Sequence, residues 1–87
     1  MNFEWDAHKA VSNLAKDGIG LEEAALVFAD SRRLTLVDAR HQTEIRENTT
    51  GMIAETLIVT VTHTERKGVI RIISARPARK RYHAHDS

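Results

Sequence analysis

No cysteine occurs in this chain, so disulfides, thiolate zinc sites and cysteine nucleophiles are all excluded. A small domain without disulfides fits a reducing compartment. Long apolar runs are missing too. The longest, Ala24 to Ala29, has six residues, against the ~20 needed to span a bilayer. The first residues, Met1-Asn2-Phe3-Glu4-Trp5-Asp6, are acidic and lack the apolar stretch of a secretory leader. The expected location is therefore the cytoplasm, with no membrane partner. There is no glycine-rich phosphate loop, no His-Glu-x-x-His and no Gly-x-Ser-x-Gly, and no internal repeat.

What remains is one small domain. Its 87 residues are 41% hydrophobic and 29% charged, a globular rather than a disordered balance. A chain of this size buries only about 60–65% of its unfolded surface, so a partner is expected to supply part of its stability. The net charge of +1 hides an asymmetry: residues 1–65 carry eleven acids and six Lys/Arg, whereas residues 66–87 carry seven Lys/Arg and one acid. A basic terminal segment on an acidic body suits a polyanion or an acidic protein, and equally a solvated tail. We read residues 1–87 as a single domain, with 78–87 a flexible basic tail.

Local signals order the elements. Phe3-Glu4-Trp5 alternates and starts a short strand. Asp6 is a good N-cap, and Ala7, Ala10, Val11, Leu14 and Ala15 follow helical spacing up to Gly18, predicting a helix over 7–17. A second helix over 21–29 follows, with Gly20 as N-cap and Leu21, Ala24, Ala25 and Phe28 as its apolar face. Each stripe needs a sheet beneath it. Residues 34–37 and 45–53 read as strands, with a bulge or bend at Gly51. The β-branched run 57–62 and its partner 69–74 read as a hairpin around Glu65-Arg66-Lys67-Gly68. Pro77, the single proline, is expected in the first turn of a short C-terminal helix. The order β-α-α-β-β-β-β-α predicts an α+β domain, an antiparallel sheet with the helical pair on one face.

His63-Thr64-Glu65-Arg66 puts an imidazole, a carboxylate and a guanidinium within four residues. RNA cleavage by its own 2′-hydroxyl needs a base, an acid and cations for the phosphate charge. Histidine serves either proton role near neutrality. Arg71 and Arg76, on the neighbouring strand, supply planar phosphate forks. Hairpin geometry is expected to bring His63, Glu65, Arg71 and Arg76 to one working face, with Glu65 orienting His63 or raising its pKa. The ordinary alternative is a decorated turn, with His63 at the sheet edge. Lys9, on the polar side of the first helix, is a further catalytic candidate or a solvated lysine. Trp5 is core or a base-stacking platform. Arg66, Arg79, Lys80 and Arg81 are the candidate RNA contacts. His83 and His85 with Asp86 are better read as tail than as a metal site, so no metal and no cofactor are expected.

Several segments, in order, resemble the BrnT family of type II toxins. They are Phe3-Glu4-Trp5-Asp6 with Lys9, Asn13-Leu14, Lys16 before Gly18, Leu21-Glu22-Glu23-Ala24, Val27-Phe28-Ala29-Asp30, His63-Thr64-Glu65-Arg66 and Arg71-Ile72-Ile73-Ser74-Ala75-Arg76. The resemblance implies a RelE-like fold and a ribonuclease activity that blocks translation. It also implies a BrnA-like ribbon-helix-helix antitoxin, two toxins with two antitoxins, bound to their promoter DNA. Two departures stand out: Asp17 replaces the histidine common before the glycine, and the segment after Ser74-Ala75-Arg76 is short. The reading is a metal-independent endoribonuclease. Its alternative is an inactive toxin-like module that only engages its antitoxin or nucleic acid. A DNA-binding regulator is disfavoured, since no helix pairs a basic face with a helix-turn-helix context.

Overall fold

The computed structural model describes residues 1–38, 44–55 and 57–78. Strand β1 (Asn2–Trp5) leads into helix α1 (Ala7–Asp17). Asp6 caps α1 as the sequence predicts, its carboxylate accepting from the amides of His8 and Lys9 at 2.8 and 3.1 Å. Gly18 ends the helix at φ +72°, a left-handed conformation glycine adopts without steric cost. Helix α2 (Leu21–Ala24) continues as a 3-10 segment, Ala25–Ala29. The predicted single helix over 21–29 is thus corrected. Leu21, Ala24 and Val27 are buried, and that every-third spacing fits three residues per turn.

The rest is sheet: β2 (Leu34–Asp38), β3 (Arg46–Ala54), β4 (Leu57–Arg66) and β5 (Val69–Pro77). The strand order is β1-β5-β4-β3-β2. β2 to β5 are antiparallel neighbours, but β1 runs parallel to β5, so the sheet is mixed rather than antiparallel. The helical segments pack against β5, β4 and β3. Ile19, Leu21, Ala24, Val27, Val59, Val61, Ile70, Ile72 and Ala75 form the core. Gly51 admits the 3-10 segment: a Cβ there would lie 3.1 Å from both the Val27 carbonyl oxygen and Cγ1. The irregularity expected near Gly51 falls between Met52 and Ala54.

Two features of β5 position the site. Thr62 pairs with Ser74 and His63 with Ile72, leaving Ile73 as an extra residue. This bulge turns both Ile72 and Ala75 into the core, each 1% exposed. β1 ends at the same place, its last pair being Trp5 with Ile72. The edge of β5 beyond Ile72 is taken over by α1. Asn13 accepts from the Ala75 amide at 2.9 Å and donates to the Ala75 carbonyl at 2.9 Å and the Ile19 carbonyl at 3.0 Å. One side-chain amide thus replaces a residue of the missing strand. Ala75 faces the edge and Ala78 donates inward to the Ile58 carbonyl, so by alternation the Pro77 nitrogen also faces the edge, where no N–H is needed. Pro77 therefore ends a strand; the helix expected after it, like the tail from 79 onward, lies outside the described residues.

This docking corrects a second expectation. Of the apolar stripe of α1 only Ala10 packs against the core; Val11 is 71% exposed and Leu14 55%. Asn13 is the buried residue of α1, because the helix lies beside the sheet edge rather than over its face.

Candidate functional site

The expected working face is split among three places. His63 is in the core, 3% exposed. It lies on the face of β4 that carries Val59 and Val61 and meets the Phe28 ring edge-on at 4.9 Å. Its Nε2 is 2.7 Å from Thr49 Oγ1, which is 2.8 Å from Thr35 Oγ1. Nδ1 is buried with no hydrogen-bond partner. Burial pushes its pKa below the usual histidine value, against the opposing pull of Glu47 and Glu65. Glu65 does share a face with His63, yet desolvation outweighs it. Only the neutral ring suits this site, since an imidazolium would bury an Nδ1–H with no acceptor. The burial of His63 sets it apart from the exposed Arg71 and Arg76 that were expected to share a face with it.

Glu65, Arg66 and Arg71 lie together around the β4–β5 turn, in an open depression shared with Glu4, Glu44, Thr64 and Lys67. Three carboxylates balance three cations there. Arg71 pairs with Thr64 in register and so faces away from His63. Its guanidinium donates to Glu4 at 3.0 Å. A saddle of balanced charge is a poor focus for a polyanion.

The third place is a cleft of about 480 Å³ between α1 and the free edge of β5, lined by Lys9, Ser12, Asn13, Lys16, Asp17, Ile73, Ser74 and Arg76. Lys9, Ser12 and Lys16 recur at i, i+3 and i+7, so one flank of the helix presents all three. Arg76 pairs with Thr60 and Ser74 with Thr62, placing both on the face opposite the core. Among the described residues none of the three cations is in an ion pair. Three cations against one carboxylate leave the cleft strongly positive. Lys9 and Arg76, both expected from sequence, thus meet here. Lys16, Ser12 and Asp17 went unrecognised as site residues: helical spacing puts them on the flank with Lys9, but only the docking of β5 makes that flank a cleft. Trp5 packs against the core. Arg79, Lys80, Arg81, His83 and His85 lie outside the described residues. Among the described residues no cluster of three His, Cys, Asp or Glu is arranged to hold a metal.

A family model matches residues 5–81, described as the ribonuclease toxin, BrnT, of type II toxin-antitoxin systems. The chain belongs to the BrnT family. Its fold agrees with a solved relative. The crystal structure of the Brucella abortus ribonuclease toxin BrnT superposes with a TM-score of 0.67 at 21% identity, covering 91% of this chain and 97% of that one. No curated protein matches. BrnT membership makes this a ribonuclease toxin family protein, and a type II system supplies an antitoxin as partner. No helix among the described residues is long and apolar enough to cross a membrane.

Proposed function

We propose that this BrnT chain is a metal-independent endoribonuclease that cleaves RNA and stops translation in the cytoplasm. A BrnA-like ribbon-helix-helix antitoxin holds it, two toxins with two antitoxins, and takes the pair to promoter DNA. The observation that carries the catalytic reading is the convergence of Lys9 and Arg76, far apart in sequence, with Lys16 in one cleft whose three cations outnumber its single carboxylate. Such cations carry the phosphate charge that builds up in the transition state. Arg79, Lys80 and Arg81 extend the basic run along the chain toward further phosphates. The exposed Val11 and Leu14 on α1 and Leu36 and Val37 on β2 support a protein partner, because exposed apolar patches mark interaction surfaces.

The test is induced expression with RNA integrity and translation followed over minutes, beside incubation of the purified protein with RNA in excess chelator. Cleavage that survives chelation supports the reading. Intact RNA together with tight antitoxin binding would favour the second reading, an inactive binding module, which the burial of His63 supports.

A further inference from the structure

We propose that Asp17 is the general base of the cleft, the group that takes the proton from the attacking 2′-hydroxyl of RNA. This rests on the ribonuclease reading above. Cleavage requires a proton acceptor beside the phosphate site. Lysine ammonium and arginine guanidinium groups only donate. The Asn13 amide is not basic and is spent on Ala75 and Ile19. Ser12 and Ser74 are hydroxyls with no activating partner among the described residues. His63 is sealed in the core, and Glu65 lines the other depression. Asp17 is the one carboxylate among the residues lining the cleft, and no hydrogen bond or ion pair among the described residues engages it.

Its mounting suits the role. Asp17 is the last residue of α1, half-buried, four residues beyond the Asn13 that locks the helix to Ala75. Gly18 closes the helix immediately after it. A carboxylate on a capped, pinned helix end is held in place before substrate arrives, which limits the reorganisation the reaction demands.

The chemistry balances without a co-reactant. The 2′-oxygen forms a bond to the adjacent phosphorus as its proton passes to the Asp17 carboxylate. The bond from phosphorus to the 5′-oxygen breaks, and that oxygen takes a proton from an ammonium of the cleft, Lys9 or Lys16. Arg76 holds the non-bridging oxygens. The products are a 2′,3′-cyclic phosphate and a 5′-hydroxyl, and exchange with water resets both groups.

The experiment uses the full chain, a fluorophore- and quencher-labelled oligoribonucleotide for cleavage, and its 2′-O-methyl counterpart, which cannot react, for binding. Asp17→Asn is expected to lose about 100-fold or more in rate, melt as the wild type does and bind the inert oligomer as tightly or more tightly. Asp17→His is expected to recover part of the rate, with the acid limb of kcat/KM moved toward the histidine range near ~6.5. It carries the test alone if Asp17→Asn does not fold. Wild-type cleavage unchanged in Asp17→Asn would overturn the assignment and leave the ribonuclease reading standing. So would an unmoved acid limb in Asp17→His. Absence of any wild-type cleavage would overturn both.

Discussion

The two halves of β5 carry the same kinds of side chain and use them differently. Residues 69–72 lie between β4 and β1, and their arginine, Arg71, is matched by Glu4 on the strand alongside. Residues 73–77 have lost β1, and a single asparagine on a helix stands in for it. Their arginine, Arg76, shares its cleft with two lysines and a single acid, Asp17, and is in no ion pair among the described residues. Ending one strand early thus converts a neutral edge into a cationic cleft. The bulge at Ile73 marks the change, and bulges concentrate where a sheet re-aims side chains for function. The fold places its uncompensated charge where backbone pairing gives way to a side-chain substitute.

The sharpest way to break this comparison is to remove the substitute. Asn13→Ala would leave the Ala75 amide, the Ala75 carbonyl and the Ile19 carbonyl without their partner. At about 1–3 kcal/mol for each buried group left unsatisfied, the loss should reach about 3 kcal/mol or more. For a domain this small, each 1 kcal/mol moves the melting temperature by about 4–8 °C. Thermal melts should show a fall above roughly 12 °C, larger than for any exposed residue of α1. A fall of a degree or two would mean that α1 is held to the edge by something else.

Removing the charge comes next. Arg76→Ala should reduce RNA cleavage about 100-fold, the cost of one donor at the developing phosphate charge. It should also flatten the salt dependence of RNA binding by about 0.7 log unit per log unit of salt. Lys9→Ala should follow in the same direction. Melting should be unchanged in both, since neither side chain is in an ion pair among the described residues. Parallel losses of activity and melting temperature would instead make Arg76 a structural residue.

Much of this fold was legible because its signals are local. Asp6 and Gly18 bound α1 by cap chemistry within a few residues, and the β-branched run at 57–62 announces its strand. The parallel pairing of β1 with β5 was not legible, because Phe3-Glu4-Trp5 says nothing about a partner nearly seventy residues away. Asn13 lies off the apolar stripe of its helix and carries no sign of burial until the strand edge it completes is known. The expected convergence of His63 with the arginines failed for a simple reason. Alternation puts His63 on the core face and Arg71 and Arg76 on the other, and being adjacent in a hairpin does not bring opposite faces together. Asp17 and Lys16 belong to a cleft that exists only once α1 is set against β5.

His63 offers a smaller effect, confined to acid. Its folded-state pKa lies below the unfolded value near ~6.5. Between those values the unfolded chain binds a proton that the folded chain refuses, so stability rises with pH in that window. The contribution is complete above about pH 6.5 and is lost as pH falls from there toward the lowered folded value. The check is melting temperature against pH for wild type and His63→Gln. The difference between the two curves should be flat above neutrality and shift against the wild type on acidification. A difference that stays constant across the range would show that His63 is protonated as readily in the fold as out of it.

The smallest effect belongs to the neutral half of β5. Arg71 and Glu4 meet at 3.0 Å, but their side chains are 49% and 52% exposed, so solvent and salt screen the pair. Exposed pairs of this kind contribute about 0.2–1 kcal/mol. Glu4→Gln should therefore lower the melting temperature by a few degrees at most, and the difference should shrink in high salt. Arg71→Ala should cut RNA cleavage by no more than roughly threefold, under about 1 kcal/mol, because its charge is already matched. This outcome separates two accounts of β5. If Arg71→Ala fell as far as Arg76→Ala, the ion pair with Glu4 must open when RNA binds. The working surface would then run the whole length of the strand, and the early end of β1 would not be what sets it.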